Sequence, residues 1–276
     1  MKTVLLPDGE TVPALGQGTW MMGERRDRRA QEVAALREGV DLGMTLIDTA
    51  EMYGDGAAEI LIAEALGDVR DTLFLVSKAY PQNASRRGLP EACEASLKRL
   101  GTDRLDLYLL HWRGSVPLGE TVEAMEALKQ AGKIRHWGVS NLDTDDMEEL
   151  VAAGGDGCAT NQILYNLTRR GPEHDLLPWL ADHAMPAMAY SPVEQGRLVK
   201  APALAQVAEQ LDATPAQVAL AWTLRHDGVI AIPKASSAGH VRENCLAADL
   251  VLPDHVLTVL DQAFPRPSGR RPLEML

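Results

Sequence analysis

Short apolar runs rich in β-branched residues recur along the chain roughly every thirty residues, separated by amphipathic stretches with helical spacing. Eight of these runs read as strands: Ala14–Thr19, Met44–Asp48, Leu73–Lys78, Leu105–His111, Ile134–Val139, Cys158–Ile163, Pro186–Tyr190 and Val229–Ile232. Helical patterns lie between them, among them Ala30–Leu42, Ala57–Leu66, Pro90–Leu100, Thr121–Ala131 and Ala203–Leu211. Thr214-Pro215-Ala216-Gln217 offers a capping hydroxyl, a proline at the first helical position and a glutamine three residues after the cap. A helix therefore opens there and ends near His226. Strict β-α alternation calls for a parallel sheet, and eight units in 276 residues call for an α/β fold of the closed (β/α)8 TIM-barrel type. The expectation is a single domain spanning residues 1–276, with no linker or repeat dividing it. Thr3–Val12, with Pro7-Asp8-Gly9-Glu10 at its middle, predicts an N-terminal β-hairpin capping the barrel bottom. Pro265–Leu276 predicts an extended tail laid on the surface. A doubly wound dinucleotide fold would need Gly-x-Gly-x-x-Gly after the first strand, whereas Gly16-Gln17-Gly18 is followed by Thr19 and Trp20.

Composition narrows the partners. With 46% hydrophobic residues the chain can bury a large core, and a net charge of −12 opposes nucleic acid and anionic membranes as general partners. A local cluster of Lys and Arg can still hold a small anion. Cys93, Cys158 and Cys245 are odd in number and lack metal-ligand spacing, which suits a reducing compartment and packing roles. The opening segment is too polar for a secretory signal, and no apolar run approaches the ~18 residues of a membrane span. These features lead us to expect a soluble cytoplasmic protein, a monomer or weak homo-oligomer.

The candidate chemistry sits at strand ends. Asp48, Tyr53, Lys78 and His111 each fall at or just beyond the end of a predicted strand, where a (β/α)8 barrel gathers its functional groups. A phenol with a pKa near 10 is a poor acid at neutrality. Lys78 held against the Tyr53 hydroxyl is expected to lower that value, with Asp48 keeping the lysine charged. His111 would orient a carbonyl oxygen toward the phenol, which delivers the proton. A hydrolase using Asp48 and Glu51 is the weaker alternative, because Lys78 would then lack a role. The seven histidines are scattered without His-Glu-x-x-His spacing, so no metal site is expected.

The chain resembles the aldo-keto reductase superfamily from about Pro13 to Asn244. The likeness is carried by Asp48-Thr49-Ala50-Glu51-Met52-Tyr53-Gly54, by Lys78 in Val76-Ser77-Lys78, by His111 in Asp106-Leu107-Tyr108-Leu109-Leu110-His111-Trp112, and by the segment Gly132–Asn141. The resemblance implies nicotinamide-dependent carbonyl reduction on a (β/α)8 barrel. It implies that Ser140, Asn141 and Gln162 hold the carboxamide of the nicotinamide and that Tyr190 stacks on its ring. Gly18 and Thr19 join the same cofactor set. Ser191, Pro192, Gln195, Gly196 and Leu198 match the loop over the pyrophosphate. Ile232, Lys234, Ser236, His240, Glu243 and Asn244 match the adenosine-phosphate segment. One departure stands out: the family's arginine six positions after the lysine is His240, and the serine after the lysine is Ala235. A neutral imidazole holds a phosphate dianion less strongly than a guanidinium, so NADP(H) is expected with NAD(H) as a second donor. Trp20, Tyr80 and Trp112 follow the first, third and fourth strands as a substrate wall. Trp112–Pro117 resembles a bacterial branch that includes methylglyoxal reductases, which points to small aldehydes and dicarbonyls. The same superfamily includes cofactor-sensing channel subunits, the alternative class for this chain.

Overall fold

Apolar runs buried on both faces build the barrel wall in the computed structural model, which describes residues 1–276. The chain opens with a hairpin, β1 (Thr3–Leu5) antiparallel to β2 (Thr11–Pro13), with Val4 opposite Val12. The parallel strands follow in sequence order: β3 (Gln17–Gly18), β4 (Leu46–Asp48), β5 (Phe74–Ala79), β6 (Leu105–Leu110), β7 (Ile134–Ser140), β8 (Cys158–Leu164), β9 (Ala187–Tyr190) and β10 (Val229–Ala231). The sheet closes where Leu15 bridges Ala231 and Gly18 bridges Lys234; the Ala231 N–H donates to the Ala14 carbonyl at 2.8 Å. Helices surround the wall: α1 (Arg29–Asp41), α2 (Ala57–Leu66), α3 (Gly88–Leu100), α4 (Leu118–Gln130), α5 (Thr144–Ala152), α6 (Leu176–Asp182), α7 (Pro202–Gln210), α8 (Pro215–Leu224), α9 (Ala238–Leu246) and α10 (Asp254–Ala263). The expected capping box opens α8, with Thr214 and Gln217 bonded reciprocally.

Side chains alternate across each strand, and that alternation divides the core. Leu46, Val76, Leu107, Leu109, Met188 and Ile230 face the barrel axis in one apolar cluster that also takes in Val4, Leu6 and Val12 of the hairpin. Tyr108, Leu110, Val139 and Ile163 face outward onto the helices. The hairpin thus plugs the N-terminal end, and Glu10 fastens it by accepting from Arg135 (2.7 Å) and meeting His136 Nε2 (2.6 Å) at the start of β7.

The elements differ from the sequence reading in specific places. The first strand is regular only at Gln17–Gly18, because Gly16 and Gly18 lie pressed against neighbouring backbone. A Cβ on Gly18 would stand 2.8 Å from the Ile232 carbonyl oxygen. The second strand starts at Leu46 rather than Met44, and the helix opened by Thr214 stops at Leu224. Helices α5, α6 and α10 were not among the stretches named from the sequence; each buries only two apolar side chains. No helix follows Ala263, so the tail is extended as expected, tied down through Arg266 to Glu173 and Arg270 to Asp175. No helix is long and apolar enough to cross a membrane.

Gly39 of α1 shows how tightly helix and wall meet. Its absent Cβ would lie 2.2 Å from the Gln17 side-chain oxygen, and Gln17 Nε2 donates to the carbonyls of Leu36 (3.2 Å) and Met44 (3.1 Å). Gly39→Ala is expected to displace Gln17, orphan those buried groups and lower stability by about 2 kcal/mol. A urea midpoint equal to that of the wild type would contradict this packing.

Candidate active site

Alternation along the strands carries the site as well as the core. Asp48 shares the inward face with Leu46, Lys78 with Val76, and His111, one residue beyond β6, with Leu109. Apolar side chains thus fill the barrel up to its C-terminal rim, where these polar ones replace them. Tyr53 comes in from the turn between β4 and α2.

Lys78 is fully buried. Its Nζ lies 2.8 Å from Asp48 Oδ1 and 2.9 Å from Oδ2, and donates to the Thr49 carbonyl at 2.7 Å. It reaches the Tyr53 hydroxyl at 3.2 Å. The Tyr53 ring meets His111 edge-on at 5.9 Å between centroids. All four expected residues therefore come together. Burial works against the ammonium, but Asp48 and Tyr53 outweigh it and hold the Lys78 pKa above its ordinary value.

Tyr53 departs from expectation. Desolvation raises its pKa and Lys78 only partly offsets the rise, so the net direction is upward, not downward. The phenol is thus held firmly as the acid form. His111 goes the other way: burial first, then Lys78, push it down to about 3, leaving a neutral imidazole. Its Nδ1 is sealed in protein without a partner. A proton on Nε2 then makes that nitrogen the donor toward a bound carbonyl.

Hydrogen bonds assign the amide groups next to this cluster. Gln162 Nε2 donates to Asp48 Oδ1 (2.7 Å), which leaves its Oε1 as an acceptor. Asn141 Nδ2 donates to the His111 carbonyl (3.1 Å) and to Ser140 Oγ (3.0 Å), so its Oδ1 is also an acceptor, occupied by the Tyr190 hydroxyl at 3.0 Å. Two acceptor oxygens suit a primary carboxamide, whose NH₂ has two hydrogens to give. Ser140 Oγ is spent on the Gln162 carbonyl (2.8 Å) and Thr19 Oγ1 on the Asp48 carbonyl (2.9 Å), so both serve the framework of the site.

Further along the rim, Ser191-Pro192-Val193-Glu194-Gln195-Gly196 leaves β9 with positive φ at Ser191, Glu194, Gln195 and Gly196. Leu198 ends this loop inside the outer apolar core. The buried Glu194 carboxylate accepts from Asn166 (2.8 Å), Arg169 (2.7 Å) and Arg197 (3.1 Å). Burial opposes its charge, but these donors hold its pKa below the usual carboxylate range. Beyond β10, Ile232 is buried, Lys234 and His240 are exposed, and Ser236 Oγ is sealed with no partner. Arg242 is bound to Glu38 at 2.7 Å, consistent with its pointing away from His240. Glu243 and Asn244 follow on α9, where the Glu243 carbonyl accepts from Gln217.

Of the expected substrate wall, Tyr80 and Trp112 meet edge-to-face at 5.9 Å, and Trp112 stacks obliquely on His111 at 4.8 Å. Trp20 is 41% exposed and has no aromatic partner. Glu51 does not pair with Asp48: its Oε1 accepts from the Tyr80 N–H (2.7 Å) and Asn83 (2.9 Å), which removes the hydrolase alternative. Asn166 and Arg169 escaped the sequence reading, because their partner Glu194 lies 28 and 25 positions away and no local motif joins them.

Fold and rim together define a (β/α)8 enzyme with a proton-donating site at its strand ends. The chain belongs to the aldo/keto reductase family, whose sequence profile matches residues 14–264. It is 54% identical over 272 residues to methylglyoxal reductase YeaE of Escherichia coli, covering 96% of each chain. It is 32% identical over 246 residues to methylglyoxal reductase DkgB of Salmonella typhimurium, covering 88% of this chain and 89% of that one. An aldo/keto reductase from Klebsiella pneumoniae, crystallised with NADP and acetate, superposes with a TM-score of 0.97 at 53% identity; the match covers 100% of this chain and 99% of the other.

The ion pair at the centre makes a separable prediction. Lys78→Met strands a buried carboxylate and should cost about 3 kcal/mol of stability. Adding Asp48→Asn should recover most of that loss. Chemical denaturation of both variants checks it, and a double variant no more stable than the single one would refute the pairing as the source of the cost.

Proposed function

We propose that this protein reduces small aldehydes and dicarbonyls to alcohols, with NADPH as the preferred hydride donor and NADH as a second one. The observation that carries the reading is a single buried ammonium, that of Lys78, holding both the Asp48 carboxylate and the Tyr53 hydroxyl. The relatives named methylglyoxal reductases and the NADP-bound structural neighbour support the substrate class and the donor.

The bound nicotinamide supplies a hydride to the carbonyl carbon. Every other part of the reaction falls to side chains of the chain itself. Gln162 Oε1 and Asn141 Oδ1 accept from the carboxamide, the latter once the Tyr190 hydroxyl gives way. Tyr190 then covers a ring face, and Ser191, Pro192, Gln195 and Gly196 line the pyrophosphate. Lys234 and Ser236 take the 2′-phosphate, with Glu243 and Asn244 at the adenine. The carbonyl oxygen accepts from His111 Nε2 and from the Tyr53 hydroxyl, which together polarise it. As charge builds on that oxygen, Tyr53 passes it the phenolic proton, and the Lys78 ammonium beside Tyr53 stabilises the phenolate left behind. Asp48 keeps Lys78 positive throughout. Tyr80 and Trp112 exclude water from one side of the carbonyl without adding polar demands, which suits small substrates of varied shape. The protein works as a monomer or weakly associating chain.

Two measurements test this. Tyr53→Phe should lower the rate of methylglyoxal-dependent NADPH oxidation by about 100-fold or more while leaving the NADPH dissociation constant within about twofold. Turnover close to the wild type would sink the assignment of the acid. The pH dependence of kcat should be flat from about pH 5 to about pH 8, since a His111 pKa near 3 keeps the imidazole neutral and the raised Tyr53 pKa keeps the phenol protonated. A loss of kcat centred near pH 6.5 would mean that His111 titrates at its ordinary value.

A further inference from the structure

Four arginines, Arg25, Arg26, Arg28 and Arg29, crowd the approach to α1 in a chain of net charge −12. Two of them are spent: Arg25 pairs with Asp27 at 2.6 Å, and Arg29 with Glu64. Arg28 is exposed and has no carboxylate partner.

The register of α1 against α9 tells where Arg28 stands. Arg242 Nη1 meets Glu38 Oε1 at 2.7 Å, and Cys245 Sγ lies 3.8 Å from the Leu42 carbonyl, so the two helices run side by side in the same direction. At roughly 1.5 Å per residue, Arg28 lies about 15 Å back along α1 from Glu38, while the first residue of α9, Ala238, lies only about 6 Å back from Arg242. Arg28 therefore overhangs the start of α9 by about 9 Å, toward the end at which the chain enters that helix after Lys234 and Ser236. The electrostatics agree. Burial is the main influence lowering the Lys234 pKa, and the positive charge of Arg28 adds to it, while Glu32 and Glu24 oppose. Glu32 is itself committed to the Gly23 N–H at 2.9 Å. Ser236 Oγ lies nearby, buried and unpaired.

We propose that Arg28 supplies, from the loop between β3 and α1, the guanidinium that α9 lacks at His240, and that it binds the 2′-phosphate of NADPH together with Lys234 and Ser236. This rests on the reading above that Lys234 and Ser236 hold that phosphate. Arg242 is engaged instead by Glu38 along the α1 side of the helix. A fork of N–H donors from a neighbouring loop replaces a fork from the helix, and NADH, without the phosphate, gains nothing from it.

The test compares dissociation constants of NADPH and NADH, read by protein-fluorescence titration without carbonyl substrate, for the wild type, Arg28→Ala, Arg26→Ala and Lys234→Ala. Arg28→Ala should weaken NADPH about tenfold and leave NADH within about twofold, while Arg26→Ala changes neither. An Arg28→Ala variant that binds NADPH as tightly as the wild type overturns the proposal, provided Lys234→Ala does weaken NADPH. Equal weakening of both cofactors by Arg28→Ala overturns it too, by marking a general effect on the loop. If Lys234→Ala leaves the ratio of the two constants unchanged, the phosphate position assumed here is wrong and the role of Arg28 falls with it.

Discussion

A lysine ammonium without water around it must be neutralised where it stands, and the rim of this barrel is organised around that need. Lys78 is fully buried, and its protons go to the Asp48 carboxylate, the Thr49 carbonyl and the Tyr53 hydroxyl. Such a pair contributes little net stability, since desolvating both charges offsets most of their attraction. What it provides is a fixed positive charge one hydrogen bond away from a phenol. The barrel makes this affordable because Asp48 and Lys78 lie on adjacent paired strands, Asp48 opposite Val76 in the ladder, with apolar side chains beneath both.

The constraint spreads outward through hydrogen bonds. Asp48 takes a bond from Gln162 as well as from Lys78, and the Asp48 carbonyl takes one from Thr19. Gln162 is thereby turned so that its oxygen, not its nitrogen, is left over, and Asn141 is turned likewise by His111 and Ser140. The same buried ion pair thus also decides which groups the neighbouring amides can recognise. His111 fits the same logic: the dry surroundings, and after them the positive Lys78, disfavour a second cation nearby, so the imidazole stays neutral and can donate a hydrogen bond.

What was legible in the sequence follows from how local each signal is. Asp48, Lys78 and His111 end apolar runs of alternating facing, so position along the strand already put them on the inner rim. The hairpin, the tail and the capping box at Thr214 were equally local. The two-residue β3 was harder, because Gly18 within it and Gly16 just before it answer to neighbouring backbone, not to a hydrophobic period. The direction of the Tyr53 shift was out of reach for a different reason. Proximity of Lys78 can be read from motif spacing, but the amount of protein packed around the phenol cannot, and here desolvation exceeds the attraction. Asn166, Arg169 and Glu194 form their cluster only after folding brings the ends of β8 and β9 together.

That last cluster explains an otherwise awkward choice of residue. A carboxylate in a loop proposed to lie over a pyrophosphate would repel it, and Glu194 and Gln195 both adopt left-handed φ values of 50° and 54° that glycine would take without strain. Arg169 and Arg197 neutralise the carboxylate, so repulsion is removed at its source. In return the loop is held by three donors in one shape, where glycine would leave it free to sample many. Arg169 also reaches Glu274 at 2.5 Å, so the same guanidinium that shapes the loop after β9 pins the extended tail. Two segments without regular secondary structure thereby acquire a common anchor. The order of this side of the rim depends on charge pairing as much as the opposite side depends on the Lys78–Asp48 pair.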